Sequence, residues 1–178
     1  DHRDLHSFPT RRSSDLIPQI VKVERFDEKD EYNRISSMMT AGDNARSKTK
    51  KNDILASGAV SIIANLRNQS KETTKNYPGT AFIINSLKHP DEVRKLRKTY
   101  VQGFYLIGVY ADRERRIDYL LEEKRICSKE MVEELIDRDA NEDLGKGKGY
   151  GQKVTDSFHL SDFRSEEHTS ELQSRQVI

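Results

Sequence analysis

Two apolar runs, at residues 81–87 and 104–110, stand out in a chain whose other apolar residues mostly recur every three or four positions. Neither run alternates polar with apolar. Short runs of this kind, bounded by turn residues, fit strands buried on both faces, as in a parallel sheet covered by helices. Between them Pro90 falls at a first helical position, with Asp91 and Glu92 in the favoured first turn. Val93, Leu96 and Tyr100 follow at helical spacing, and Gly103 closes the segment. The pattern predicts a strand–helix–strand unit with a right-handed crossover.

Residues 17–23 form a short apolar stretch broken by Pro18, an edge strand or a loop. Residues 27–39 read as a helix with Tyr32, Ile35 and Met39 on one face, broken by the Ala-Gly-Asp-Asn-Ala-Arg run at 41–46. Asn52 or Asp53 can cap a second helix, whose stripe is Leu55, Ala59, Ile62 and Leu66, with Ile63 beside it. Residues 71–79 read as a polar loop. Downstream, Asp112 can cap a helix over 113–124. Ser128 can cap another, with Met131, Val132, Leu135 and Ile136 as its buried face. A glycine-rich connector at 144–151 precedes a last expected strand over 154–163, with Phe158, Leu160 and Phe163 as its apolar positions.

The two ends read differently from the middle. Residues 1–16 and 164–178 both resemble in-frame translations of widely used sequencing adapters. They are set aside as a fusion scar would be, and are expected to be disordered. One domain over 17–163 remains. The ends hold five of the 31 Lys and Arg and six of the 30 Asp and Glu, which leaves 26 basic against 24 acidic residues in the middle. Such a balanced segment makes no electrostatic case for nucleic acid or for a membrane surface. Neither a membrane-length apolar run nor a signal-peptide core is present. The single cysteine, Cys127, excludes an internal disulfide and suits a reducing, cytoplasmic setting.

The motif inventory is mostly negative. The alternating glycines 145, 147, 149 and 151 fail the phosphate-loop spacing, because the second glycine of that motif must stand five positions after the first, and Tyr150 and Gln152 stand five after Gly145 and Gly147. A zinc deaminase centre needs His-x-Glu and a later Pro-Cys-x-x-Cys. His159 is followed by Leu160 and Ser161, and Cys127 has no partner cysteine. His89 reads as a helix-entry residue rather than a ligand or a base.

The run INSLKHPDEV at 84–93, followed by FYLIGVY at 104–110, resembles the N-terminal domain of the bacterial anti-phage deoxycytidine nucleotide deaminases. The helix–Gly-Asn–Arg–helix order around Arg46 and the Gly-Gln-x-Val-Thr-Asp-x-Phe pattern at 151–158 extend the resemblance. It implies an α/β fold: an incomplete three-layer, P-loop-kinase-like parallel sheet with helices on both faces. The parent protein would be a zinc-dependent enzyme converting deoxycytidine nucleotides to deoxyuridine nucleotides. This segment would be its regulatory or nucleotide-sensing domain, with no catalytic residue and no metal ligand of its own. The implied cofactors of the parent are zinc and a nucleotide, and an oligomer is compatible with it. Arg113, Arg116 and Arg138 occupy places comparable to the phosphate-gripping arginines of nucleotide kinases, and Arg46 follows the Gly-Asn turn. Each has a plainer role open to it, as a solvated charge or a surface ion pair. The resemblance also implies that a strand between 81–87 and 104–110 is missing, leaving the two runs to close on each other or to pair with another chain. A free-standing nucleoside or nucleotide kinase and a non-catalytic interaction module are the alternatives.

Overall fold

A computed structural model of the chain describes residues 10–12, 30–72, 81–140 and 152–165. The apolar stretch at 17–23 and the glycine-rich connector lie outside the described residues. Helices dominate, and the strands are short and paired in parallel, so the fold is a helix-rich α/β arrangement.

Helix α1 (Glu31–Thr49) starts at Asp30, whose side chain accepts from the backbone N–H of Asn33 at 3.0 Å. The break expected at 41–46 does not occur. Ala41, Gly42 and Ala45 are buried, and Ala41 packs with Leu55 of the next helix. Close packing of small residues offsets the roughly 1 kcal/mol that a glycine costs within a helix. The helix ends instead at Lys50, in the left-handed region at φ 55°, where backbone N–H groups return to the carbonyls of Arg46 and Ser47. Helix α2 (Ile54–Glu72) begins directly after Asp53 and buries Leu55, Ala56, Ala59 and Ile63, with Ile62 and Leu66 only half-buried. It continues through Glu72, beyond the start of the expected polar loop.

Strand β2 (Ile83–Asn85) occupies the middle of the first apolar run, and β1 (Thr10–Arg12) pairs with it in parallel, Thr10 opposite Ile83. Helix α3 (Pro90–Tyr100) follows, with Pro90 at its first turn and Val93 and Leu96 fully buried. A single 3₁₀ turn (Val101–Gly103) leads into β3 (Ile107–Val109). Helices α4 (Arg113–Glu122) and α5 (Lys129–Ala140) start where expected: Asp112 accepts from Arg115 N at 2.8 Å, and Ser128 Oγ from Met131 N at 3.2 Å. With α1 they enclose the largest core cluster, Met39, Ile117, Ile126, Val132, Leu135 and Ile136.

The segment expected as a last strand divides in two. Val154–His159 is a short helix, α6, and only Phe163–Ser165 is a strand, β4, parallel to β3 with Phe163 opposite Ile107. Phe158 packs closely over β3 at Gly108: a Cβ there would lie 2.8 Å from its ring and 2.5 Å from Ser161 Oγ. Asp162 aligns the pair, accepting from Leu106 N and from Arg97, each at 2.7 Å.

Three expectations about the sheet are corrected. The two apolar runs do not pair with each other; each takes its own two-stranded sheet, so the crossover rule for strands of one sheet does not apply to β2 and β3. Nor are the strands buried on both faces. Tyr105, Ile107 and Val109 share one face with Phe163, and Ile107 and Val109 are 66% and 77% exposed. Finally, Thr10–Arg12 and Arg164–Ser165, within the stretches expected to be disordered, are strand residues. Unpaired N–H and C=O groups along β2 and β3 are costly, and any short extended segment satisfies them.

Candidate functional site

A cleft of about 690 Å³ opens beyond the carboxyl ends of both β2 and β3. Ser86 and Lys88 follow the first strand; Val109, Tyr110 and Ala111 end the second. That volume is in the range of small-molecule sites. The floor is apolar: Ile35, Met38 and Met39 of α1, Leu55 of α2, and Leu135 and Ile136 of α5. Cations ring it: Arg34, Lys88, Arg115, Arg116 and Lys124, with Glu31 and Asp139 among them.

The turn that carries Lys88 is tightly fixed. Ser86 sits in the left-handed region at φ 65°. Glu92, three residues into the helix motif, turns back and accepts from the backbone N–H of Lys88 at 2.7 Å and of His89 at 3.2 Å. His89 completes the capping box, its Nδ1 accepting from Asp91 N at 3.1 Å. This is the helix-entry role read from the sequence.

Glu92 is fully buried, and so is its partner Arg46, with 3.2 Å between them. Burial pushes the Glu92 carboxyl above the ordinary glutamate range, against the pull of Arg46 and the two backbone donors. Burial likewise holds the His89 imidazole below its ordinary value. Arg46 also reaches Asp43 at 3.1 Å, and Asp43 reaches Arg138 at 3.1 Å. A single line of charge thus ties α5, α1 and the start of α3 together.

Of the four arginines singled out by sequence, Arg46 and Arg116 line the cleft and Arg113 and Arg138 are not among its lining residues. Arg46 lines it while its guanidinium is engaged by Glu92 and Asp43. Arg116 is exposed at the rim. Arg113 turns away to Asp137 at 2.6 Å, and that pair is well exposed. Arg138 bonds Thr40 at 3.0 Å and the Ser36 carbonyl at 3.3 Å, clamping α5 onto α1. Sequence reasoning missed Arg34, Lys88, Arg115 and Lys124. A signal existed for two of them: Lys88 lies just past an apolar run, and Arg115 neighbours Arg116 on a predicted helix.

Among the described residues no group of three or more His, Cys, Asp or Glu is placed to hold a metal ion. Cys127 and His159 are both exposed and stand apart from the cleft lining. The described residues therefore offer no fit for the zinc implied for the parent enzyme. Among them, too, no helix is long and apolar enough to cross a membrane. No protein-family model matches the chain, and no curated protein or solved structure is significantly similar to it.

Proposed function

We propose that the cleft binds a nucleotide, and that the chain is the nucleotide-sensing, P-loop-kinase-like part of a cytoplasmic anti-phage deoxycytidine nucleotide deaminase. The observation that carries the binding reading is the cleft's place and lining: outside the carboxyl ends of two parallel-paired strands, apolar below and cationic around the rim. Ligands of α/β proteins collect at such strand ends. The assignment to a deaminase rests on the sequence resemblance alone. Arg116 and Arg115 would grip phosphate oxygens, with Lys88 opposite, while the base lies over Met38 and Met39. Arg46 supports the site from beneath by fixing the turn that carries Lys88. Deamination itself would belong to a zinc-binding domain of the parent, where the metal would supply an activated water. This chain's role is recognition.

Calorimetry of the full chain with deoxycytidine triphosphate tests the binding reading. Saturable binding is expected, and Arg116→Ala should weaken it by about 1.5–3 kcal/mol, the range for hydrogen bonds to a charged group. Absence of binding, or equal affinity in the variant, overturns it. The same cleft would serve a nucleotide kinase. Transfer of phosphate from ATP to deoxycytidine monophosphate by the chain would favour that alternative.

A further inference from the structure

Two carboxylates already sit among the cleft's cations. Asp139 Oδ1 lies 2.6 Å from Lys88 Nζ. Glu31 Oε1 accepts from Arg34 at 2.8 Å and lies 3.6 Å from Lys124 Nζ. All five side chains line the same cleft. Two of these contacts join different elements: Asp139 belongs to α5 and Lys88 to the turn after β2, while Glu31 opens α1 and Lys124 follows α4. The Arg34 hydrogen bond also holds the Glu31 carboxyl below its ordinary range, so Glu31 carries its charge at neutral pH.

We propose that Glu31 and Asp139 are specificity-determining residues, resident counter-ions that an incoming oligophosphate must displace, so that the cleft selects ligands by charge. The proposal rests on the phosphate-binding reading above. An anion of low charge exchanges one ion pair for another and gains little. A triphosphate carries several charges on one chain and can replace both carboxylates at once, keeping every cation paired. Partly exposed pairs such as these are weak, so displacement is affordable to a ligand of enough charge. The opposite role is that of a staple: if the pairs served to hold the cleft's walls in place, removing a carboxylate would loosen the site and weaken binding.

The sign of the change decides between the two. Inorganic triphosphate and orthophosphate are titrated by calorimetry into the full chain and into Glu31→Gln, Asp139→Asn and Asp137→Asn. Asp137→Asn changes net charge equally but breaks the Arg113 pair outside the cleft lining, its carboxylate acting on Arg116 only as a weaker coulombic neighbour. Glu31→Gln and Asp139→Asn should each bind triphosphate roughly two- to five-fold tighter, the range of a partly exposed ion pair. Orthophosphate should gain relatively more, so selectivity for triphosphate falls, and Asp137→Asn should gain less than either cleft variant. Binding by the parent chain with unchanged or weaker binding by both cleft variants overturns the counter-ion proposal and leaves the cleft reading standing. An equal gain in Asp137→Asn overturns it too, as a general charge effect. If no protein in the set binds triphosphate, both fall.

Discussion

Replacing Arg46 with Met tests whether this arginine is part of the scaffold or a ligand contact. The side chain is 1% exposed and its partner Glu92 is fully buried. Substitution leaves the Glu92 carboxylate with two backbone donors, Lys88 N and His89 N, and no cation. Removing one member of a buried pair typically costs about 3–5 kcal/mol. The two backbone bonds remain, and Glu92 is already biased by burial toward its neutral form, so the loss should lie near the lower end, about 3 kcal/mol. For a chain of this size each kcal/mol moves Tm by about 2–4 °C, so the variant should melt roughly 6–12 °C lower. Urea and thermal denaturation followed by circular dichroism measure this. A second variant, Glu92→Leu, and the double variant complete a cycle. The double should be less destabilised than the sum of the singles by about 2 kcal/mol, because it leaves neither charge stranded. A loss under about 1 kcal/mol for Arg46→Met, or strict additivity, would refute the reasoning. A purely ligand-binding Arg46 would show intact stability and lost affinity.

Other outcomes follow from the same geometry. Burial lowers the His89 pKa, with Arg46, Lys153 and Arg94 adding to it and Asp91 opposing. Its neutral form is therefore favoured in the folded chain, and stability should be full above about pH 6.5, the unfolded value, and decline as pH falls below it. His89→Asn keeps a cap acceptor that does not titrate, and should flatten the fall in Tm between pH 7 and pH 5. Gly108→Val should cost about 1–3 kcal/mol in thermal denaturation, since its side chain meets Phe158 and Ser161. Arg138→Ala should lower stability by about 1 kcal/mol while leaving triphosphate affinity unchanged in calorimetry, because its guanidinium is spent on Ser36, Thr40 and Asp43.

Local signals were legible in the sequence wherever one residue decides the geometry. Pro90, Asp112 and Ser128 mark helix starts because each acts within one turn of itself. The errors arose where tertiary contacts outvote the local pattern. Gly42 and Asn44 look like a break, yet helix α1 continues because Ala41 and Ala45 are buried in neighbouring packing. Phe158, Leu160 and Phe163 look like one strand, yet Phe158 is drawn into a helix that lies over Gly108. The candidate site was half legible. Arg116 could be named, through the family resemblance, from its place after an apolar run, and it lies in the cleft lining. The partners of Arg46 and Arg138 could not, because Glu92 and Asp43 lie 46 and 95 residues away in the chain.

The bare face of β3 has a practical consequence. Tyr105, Ile107, Val109 and Phe163 turn their side chains to water, and Tyr105 and Phe163 lie 6.2 Å apart, ring to ring. Because Ile107 and Val109 contribute little to packing, threonine at both should leave Tm unchanged while keeping the β-branched shape the strand prefers. The gain would come in handling: less adhesion to surfaces, a higher usable concentration and a cleaner sample. A drop in Tm for that double variant would mean that the face is covered in solution. The face with Gly108 is the opposite case, since any added side chain there must displace a ring. For stability, one three-residue strand therefore holds two forgiving positions on one face and an unforgiving one on the other.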